Sequence, residues 1–321
     1  MRNHHSRRLS RRQAMRAGVA ACLAAAAHRT FGAADAPGSV VAPQVGKTIP
    51  STGERLPVIG LGTNNYSVTS AEDLAPRREV LQRMSDLGGK VIDTAPAYGR
   101  SESVLGELLA DLGNRDRYFL ATKVTAPDGD LAQGRAMLEE SFRRLRTPRI
   151  DLLQVHNLDG VEVLMPVLRE ARDAKRIRYV GVTTSRAEQY PQMLSAMRRH
   201  ALDFIQVDYS IDNRTAADEV LPLAQERGIA ALINMPFGGR RSGNLFPRLA
   251  GREVPQWAVE AGAASWAQFL LRYVVSHPAV TCAIPGTHRV AHLEDNMRAG
   301  RSELPHRAMR TRMEQYWAGV A

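Results

Sequence analysis

From residue 58 onward the chain alternates short apolar runs with longer amphipathic stretches. VIGLGT (58–63) reads as a buried strand, and AEDLAPRREVLQRMSDLG, shortly after it, places apolar residues at helical spacing and stops on glycine. The unit then repeats. VIDTA (91–95) precedes ESVLGELLADLG, and YFLATKV (118–124) precedes LAQGRAMLEESFRRL. DLLQVHN (151–157), YVGVTTS (179–185), FIQVDYS (204–210), IAALINM (229–235) and CAIPGT (282–287) continue the series. VEVLMPVLREARDAKR and WAQFLLRYVVSH are among the helical patterns between them. Strands alternating with helices imply parallel strands joined by crossover helices.

Eight such units predict an α/β fold of the closed (β/α)8 type, a TIM barrel in a single domain, which usually takes about 250 residues. An open doubly wound sheet binding a dinucleotide is the rival, and it needs a G-x-G-x-x-G turn after its first strand. Here that strand ends GLGTNN, which lacks the third glycine. No linker rich in Pro, Gly or Ser divides the body. The segment GERLPVIG (53–60) reads as a short hairpin plugging the bottom of the barrel, and the last residues, 301–321, as a helical tail covering part of it.

Composition changes the picture only at the N-terminus. Hydrophobic residues make up 44% and charged residues 24%, which excludes a disordered or collagen-like chain. A net charge of +10 first suggests a nucleic-acid partner. However, seven arginines against Asp35 give residues 1–36 a net +6, so residues 37–321 carry only +4. No nucleic-acid partner is expected.

That basic segment has the three parts of an export signal: SRRQAMRAG, the apolar run Ala17–Ala27, and small residues around GAADA. Ser10-Arg11-Arg12 with Arg16 reads as a twin-arginine signal, so the expected partner is the twin-arginine export machinery and the expected location the periplasm. If the leader does not function, the location is cytoplasmic. The predicted division is a leader over 1–36 cleaved near 33–34, a barrel over 37–300, and a tail over 301–321. The apolar run is shorter than the about 20 residues a bilayer span needs, and no span is expected in the mature chain. Cys22 leaves with the leader, so Cys282 has no internal disulfide partner and, within TCAIPG, reads as core.

In barrels of this kind reactive groups stand at the C-terminal ends of strands and in the loops that follow. Asp93 ends the second strand, Tyr98 lies in the next loop, Lys123 ends the third strand and His156 the fourth. Singly, each has a bland explanation: a helix cap, a loop aromatic, a solvated charge, a satisfied imidazole. Together they form a set suited to proton transfer. Only four of the 43 basic residues are lysine, so Lys123 stands out in an arginine background. A lysine ammonium is a compact charge that can tune its proton, which a guanidinium cannot.

The motifs LPVIGLGT, VIDTAPAYGRSESVLGELL, ATKV, DLLQVHN, GVTTS, FIQVDYS and IPGTHRVAHLEDN resemble, in order and spacing, those of the aldo/keto reductase family. The resemblance runs from about Gly53 to Asn296. It implies carbonyl reduction with NADP(H) or NAD(H), with Tyr98, Asp93, Lys123 and His156 as the catalytic tetrad. A free phenol, with a pKa of about 10, is a poor acid near neutrality, and an adjacent ammonium favours its phenolate. Tyr98 would give the proton, Lys123 would assist it, Asp93 would hold Lys123, and His156 would polarise the carbonyl. The small-molecule partner is then an aldehyde or ketone.

For the cofactor the resemblance implies Gln206 and Thr183 at the nicotinamide, with Thr184 beside them where the family usually has an asparagine. Asn234 stands where the family often has a stacking aromatic, with Met235 and Phe237 close by. Thr287, Arg289 and Asn296 fall at the adenosine end. Arg289 suits a 2′-phosphate, so NADP(H) is favoured over NAD(H). No metal is expected: His288 and His292 are four apart but lack a third ligand at suitable spacing. Tyr66 and Trp257 are candidates for the substrate pocket. The alternative function is a cofactor-binding sensor or accessory barrel with little turnover.

Overall fold

The computed structural model describes residues 42–239 and 243–320. The leader, its arginine pairs and Cys22 lie outside the described residues. Ten strands occur among the described residues: β1 (Gly46–Thr48), β2 (Arg55–Pro57), β3 (Leu61–Gly62), β4 (Val91–Asp93), β5 (Phe119–Val124), β6 (Ile150–Val155), β7 (Ile177–Thr183), β8 (Phe204–Asp208), β9 (Ala230–Asn234) and β10 (Val280–Ala283). β3 to β10 pair in chain order, each parallel to the next. Parallel bridges Ile59–Ala283 and Gly62–Gly286 join the two ends and close the barrel. All eight predicted strands are present, and helices lie between successive strands from β3 to β9. The first strand is shorter than its apolar run because much of VIGLGT meets β10 and the loop after it only through those single bridges.

Glycine makes the seam close. A Cβ at Gly60 would lie 2.8 Å from the Val91 carbonyl, and one at Gly62 would lie 2.8 Å from the Ile284 carbonyl. The GLG sequence thus serves close backbone approach.

Alternation along the strands sorts the interior. Successive residues point to opposite faces of a strand. Val91, Phe119, Leu152, Tyr179, Phe204, Ala230 and Leu232 form one buried cluster inside the barrel, with Ile49 and Leu56 from the N-terminal hairpin completing it. A hairpin does plug the bottom, but it pairs Gly46–Thr48 with Arg55–Pro57 and so begins before the expected 53–60. Its first strand, the polar GKT of β1, is anchored when Lys47 donates to the carbonyls of His277 and Val280 at 2.8 and 2.7 Å. Two residues further along β4 and β8, and four further along β5, the same inward register brings Asp93, Gln206 and Lys123 to the top of the barrel.

The C-terminal tail forms a helix over Arg307–Ala318. Met313 and Trp317 are buried beneath it, Arg310 donates to the Tyr209 hydroxyl at 2.8 Å, and Trp317 Nε1 donates to Asp212 at 2.9 Å. Trp257 packs edge-on against Phe269 and Tyr316 near this tail, and Tyr66 is fully buried beneath Arg77. Neither lines the cleft at the barrel mouth. Cys282 is buried in the core. No helix among the described residues is long and apolar enough to cross a membrane.

Candidate active site

Asp93, Tyr98, Lys123 and His156 converge at the C-terminal mouth, where they share a cleft of about 610 Å³. Asp93 and Lys123 come from adjacent strands and are 2% and 1% exposed. Lys123 Nζ donates to Asp93 Oδ2 at 2.6 Å and to the Thr94 carbonyl at 2.8 Å, and lies 5.0 Å from the centroid of the Tyr98 ring. Tyr98 stands edge-on to His156, with ring centroids 6.2 Å apart. Pro96 opens the single helical turn Pro96–Tyr98 that carries the phenol to this place, and its fixed φ suits a first helical position.

The charges follow from these positions. Burial opposes the Lys123 ammonium, but Asp93 and Tyr98 outweigh it and hold the lysine pKa above its ordinary value. Burial pushes the Asp93 carboxyl up, and Lys123 is the main influence against that rise. Gln206 and Gln154 also favour the carboxylate, although Asp93 Oδ1 has no partner in hydrogen-bond geometry. His156 is pulled down to about 3, chiefly by burial and further by the Lys123 charge. It is therefore a neutral imidazole near neutrality and keeps one N–H to donate.

On the far side of the cleft, Thr183 donates to Gln206 Oε1 at 3.0 Å. That bond fixes the glutamine and leaves its Nε2, in a residue 1% exposed, beside the Asp93 carboxylate it favours but without a partner in hydrogen-bond geometry. Asn234 Oδ1 is a second buried atom without a partner, and it lines the same cleft with Met235 and Phe237. Asn65 Oδ1 and Asp93 Oδ1 are also without partners, so four residues lining this cleft carry unpaired buried polar atoms. An unpaired buried polar group costs about 1–3 kcal/mol, so this cleft is where a polar ligand would restore hydrogen bonds.

Thr184 sits differently from its expected place. Its hydroxyl bonds Gln189 Oε1 and accepts from the Arg186 amide, and Ser185 rather than Thr184 borders the cleft. Thr287 and Asn296 are buried and Arg289 is exposed, all beyond Gly286, the last cleft residue of that loop. The Thr287 hydroxyl accepts from the Arg289 amide at 3.1 Å, and Arg289 precedes the helix Val290–Arg298 that carries Asn296.

Two contributors escaped the sequence reading. Gln154, fully buried and paired in register with Lys123, faces Asp93, and strand alternation was the signal that could have found it. Gln189 gives its Nε2 to the Asn157 carbonyl at 2.9 Å while bonding Thr184. It so ties the end of β7 to the loop that follows His156, where Asn157 and Leu158 hold φ of 52° and 60°. Nothing local in the sequence signals that link.

The profile of the aldo/keto reductase family matches residues 58–315. The chain belongs to the aldo/keto reductase family. It is an oxidoreductase of that family. It is 35% identical over 202 residues to the aldo-keto reductase YhdN of Bacillus subtilis, a match covering 58% of this chain and 60% of YhdN. This chain thus spans less than two thirds of that relative. It is 28% identical over 291 residues to the uncharacterized oxidoreductase YrpG of the same organism, covering 77% of this chain and 88% of YrpG. Among solved structures, a Klebsiella pneumoniae aldo-keto reductase in complex with NADPH is 25% identical, with a TM-score of 0.70 over 87% of this chain and 96% of that one. A second Klebsiella pneumoniae aldo/keto reductase structure, with NADP and acetate, is 25% identical with a TM-score of 0.69, covering 84% and 94%.

Proposed function

We propose that this aldo/keto reductase reduces an aldehyde or ketone to the alcohol using NADP(H), with Tyr98 as proton donor. The observation that carries the reading is the buried Asp93–Lys123 pair beneath Tyr98. A lysine kept charged there stabilises the negative charge left on the tyrosine oxygen after it gives up its proton. Asp93 fixes the ammonium and keeps it charged. Neutral His156 donates a hydrogen bond to the substrate oxygen, where charge develops as the carbonyl is reduced.

The cleft suits the nicotinamide end of a dinucleotide, because the Gln206 amide and Asn234 Oδ1 line it and offer the donor and the acceptor that a carboxamide needs. When bound, the reduced dinucleotide supplies the hydride. Thr183 holds Gln206 in place for that contact. At the adenosine end Thr287, Arg289 and Asn296 are our candidates, and the exposed Arg289 guanidinium supports NADPH over NADH. The NADP and NADPH complexes of the Klebsiella pneumoniae proteins agree with this preference. Thr184, held by Gln189, is a neighbouring support and has no ligand contact of its own in this reading.

Incubation of the purified protein with NADPH and a panel of aldehydes tests the proposal. Alcohol formed in step with NADPH consumed, and faster than with NADH, is expected. Tight nucleotide binding with no alcohol would favour the sensor or accessory reading, which the replaced residues Thr184 and Asn234 support. We further propose that the Arg11-Arg12 leader exports the folded protein to the periplasm. Lysine at both positions, with Arg7-Arg8 changed in a parallel variant, should hold it in the cytoplasm; undiminished periplasmic protein on fractionation would contradict that.

A further inference from the structure

Lys123 and His156 border two cavities. The second, of about 620 Å³, leads away from the cleft between the turn Pro96–Tyr98, the end of β5 and the helix Leu131–Arg144. Pro96, Ala97, Val124, Ala136 and Met137 supply its apolar walls, and Gln133 a side-chain amide. Thr125 adds a hydroxyl, which is turned to the Met137 sulfur at 3.7 Å. Apart from Lys123, which is paired with Asp93, charge occurs only on the last turns of the helix, where Glu140 accepts from Arg144 at 2.8 Å and also pairs with Arg143. Arg144 lies 3.6 Å from Glu102 as well. These groups satisfy one another and leave no unpaired charge for a charged ligand. Ala97 and Ala136, exposed on opposite sides, are too small to fill the space between them.

We propose that this groove receives an uncharged hydrocarbon arm, alkyl or aryl, of the carbonyl substrate. The inference rests on the reduction reading above, since that reading places the carbonyl oxygen at His156. His156 lines both cavities, so a substrate held there by its oxygen has the apolar groove beside it for one substituent. Each methylene that leaves water for these walls adds to binding in proportion to the area it buries. An aldehyde without such an arm leaves the groove to water. The groove therefore selects for carbonyl compounds with an apolar arm of several carbons.

The test compares kcat/KM for hexanal and acetaldehyde with NADPH in the parent, Ala136→Trp and Ala132→Trp. Ala136 is exposed, so an indole there enters the groove without disturbing the core; Ala132 is equally exposed, one turn earlier and outside the groove. The parent should prefer hexanal by at least about tenfold, and Ala136→Trp should remove most of that preference. Ala132→Trp should keep it. Equal kcat/KM for both aldehydes in the parent, or a preference that Ala136→Trp leaves in place, overturns the groove assignment while the reduction reading stands. If neither aldehyde is reduced, the reduction reading fails instead, and calorimetric binding of the unreactive hexanamide decides the groove. Binding weakened about tenfold by Ala136→Trp supports it, and binding absent or unchanged overturns it.

Discussion

The Lys123 ammonium lies 2.6 Å from the Asp93 carboxylate, and both side chains are almost wholly removed from water. Neither charge is cheap to bury alone. Their attraction and the Thr94 carbonyl compensate for the lost hydration only while both partners are present.

Lys123→Met therefore leaves an uncompensated carboxylate in the barrel and should cost about 3–5 kcal/mol in urea unfolding. The double variant Lys123→Met with Asp93→Asn, neutral at both places, should recover most of that stability yet stay inactive. Equal stabilities for the single variant and the parent would show that the pair does not carry buried charge.

The depressed pKa of His156 sets a pH dependence with a definite sign. Its ordinary value is 6.5 and its folded value about 3, so between those limits the unfolded chain takes up a proton that the native site refuses. Stability should fall as the pH drops from about 6.5 toward 3. His277, lowered to about 4, acts in the same direction. Acid unfolding of His156→Asn should accordingly be less steep than that of the parent, with the His277 contribution remaining. Reduction should show no acid limb at pH 6.5, since the imidazole is already neutral there. An activity profile that titrates at that pH would place a protonatable histidine in the site.

The part of the site that sequence makes legible is the part written in short-range periodicity. Eight apolar runs fixed the strand positions, and period-two alternation carries Asp93, Lys123 and Gln206 to one inner face. The polar strand Gly46–Thr48 has no apolar signal, and only its pairing with Arg55–Pro57 makes it a strand. Tyr66 and Trp257 look like pocket aromatics from their loop positions, but Arg77 stacks over the first and the C-terminal helix recruits the second. The buried Arg272 belongs to the same class: it lies within an apolar helical run, and its partners, the carbonyls of Ala299 and Glu303, arrive only through folding. Long-range hydrogen bonds of this kind leave no local pattern.

Gln189 is the contact of this kind nearest to the chemistry. Gln189→Ala removes its bonds to Thr184 and to the Asn157 carbonyl, and frees a loop whose left-handed residues cost about 1–3 kcal/mol each to maintain. His156 should then sit less firmly, and kcat should fall by up to about 10²-fold. Gln189→Glu keeps an acceptor for Thr184 but cannot donate to Asn157, so it should lose nearly as much. Parental kcat in both variants would show that the loop holds His156 without this support.

The central claim is that Tyr98 delivers the proton from its place above Lys123. Tyr98→Phe removes one oxygen and leaves the ring against His156, so NADPH affinity, measured by calorimetry, should change little. The measurement that decides the matter is kcat/KM for NADPH-dependent aldehyde reduction by this variant. The account predicts a fall of about 10² or more, the scale of a lost general acid. Turnover at the parental rate would contradict it.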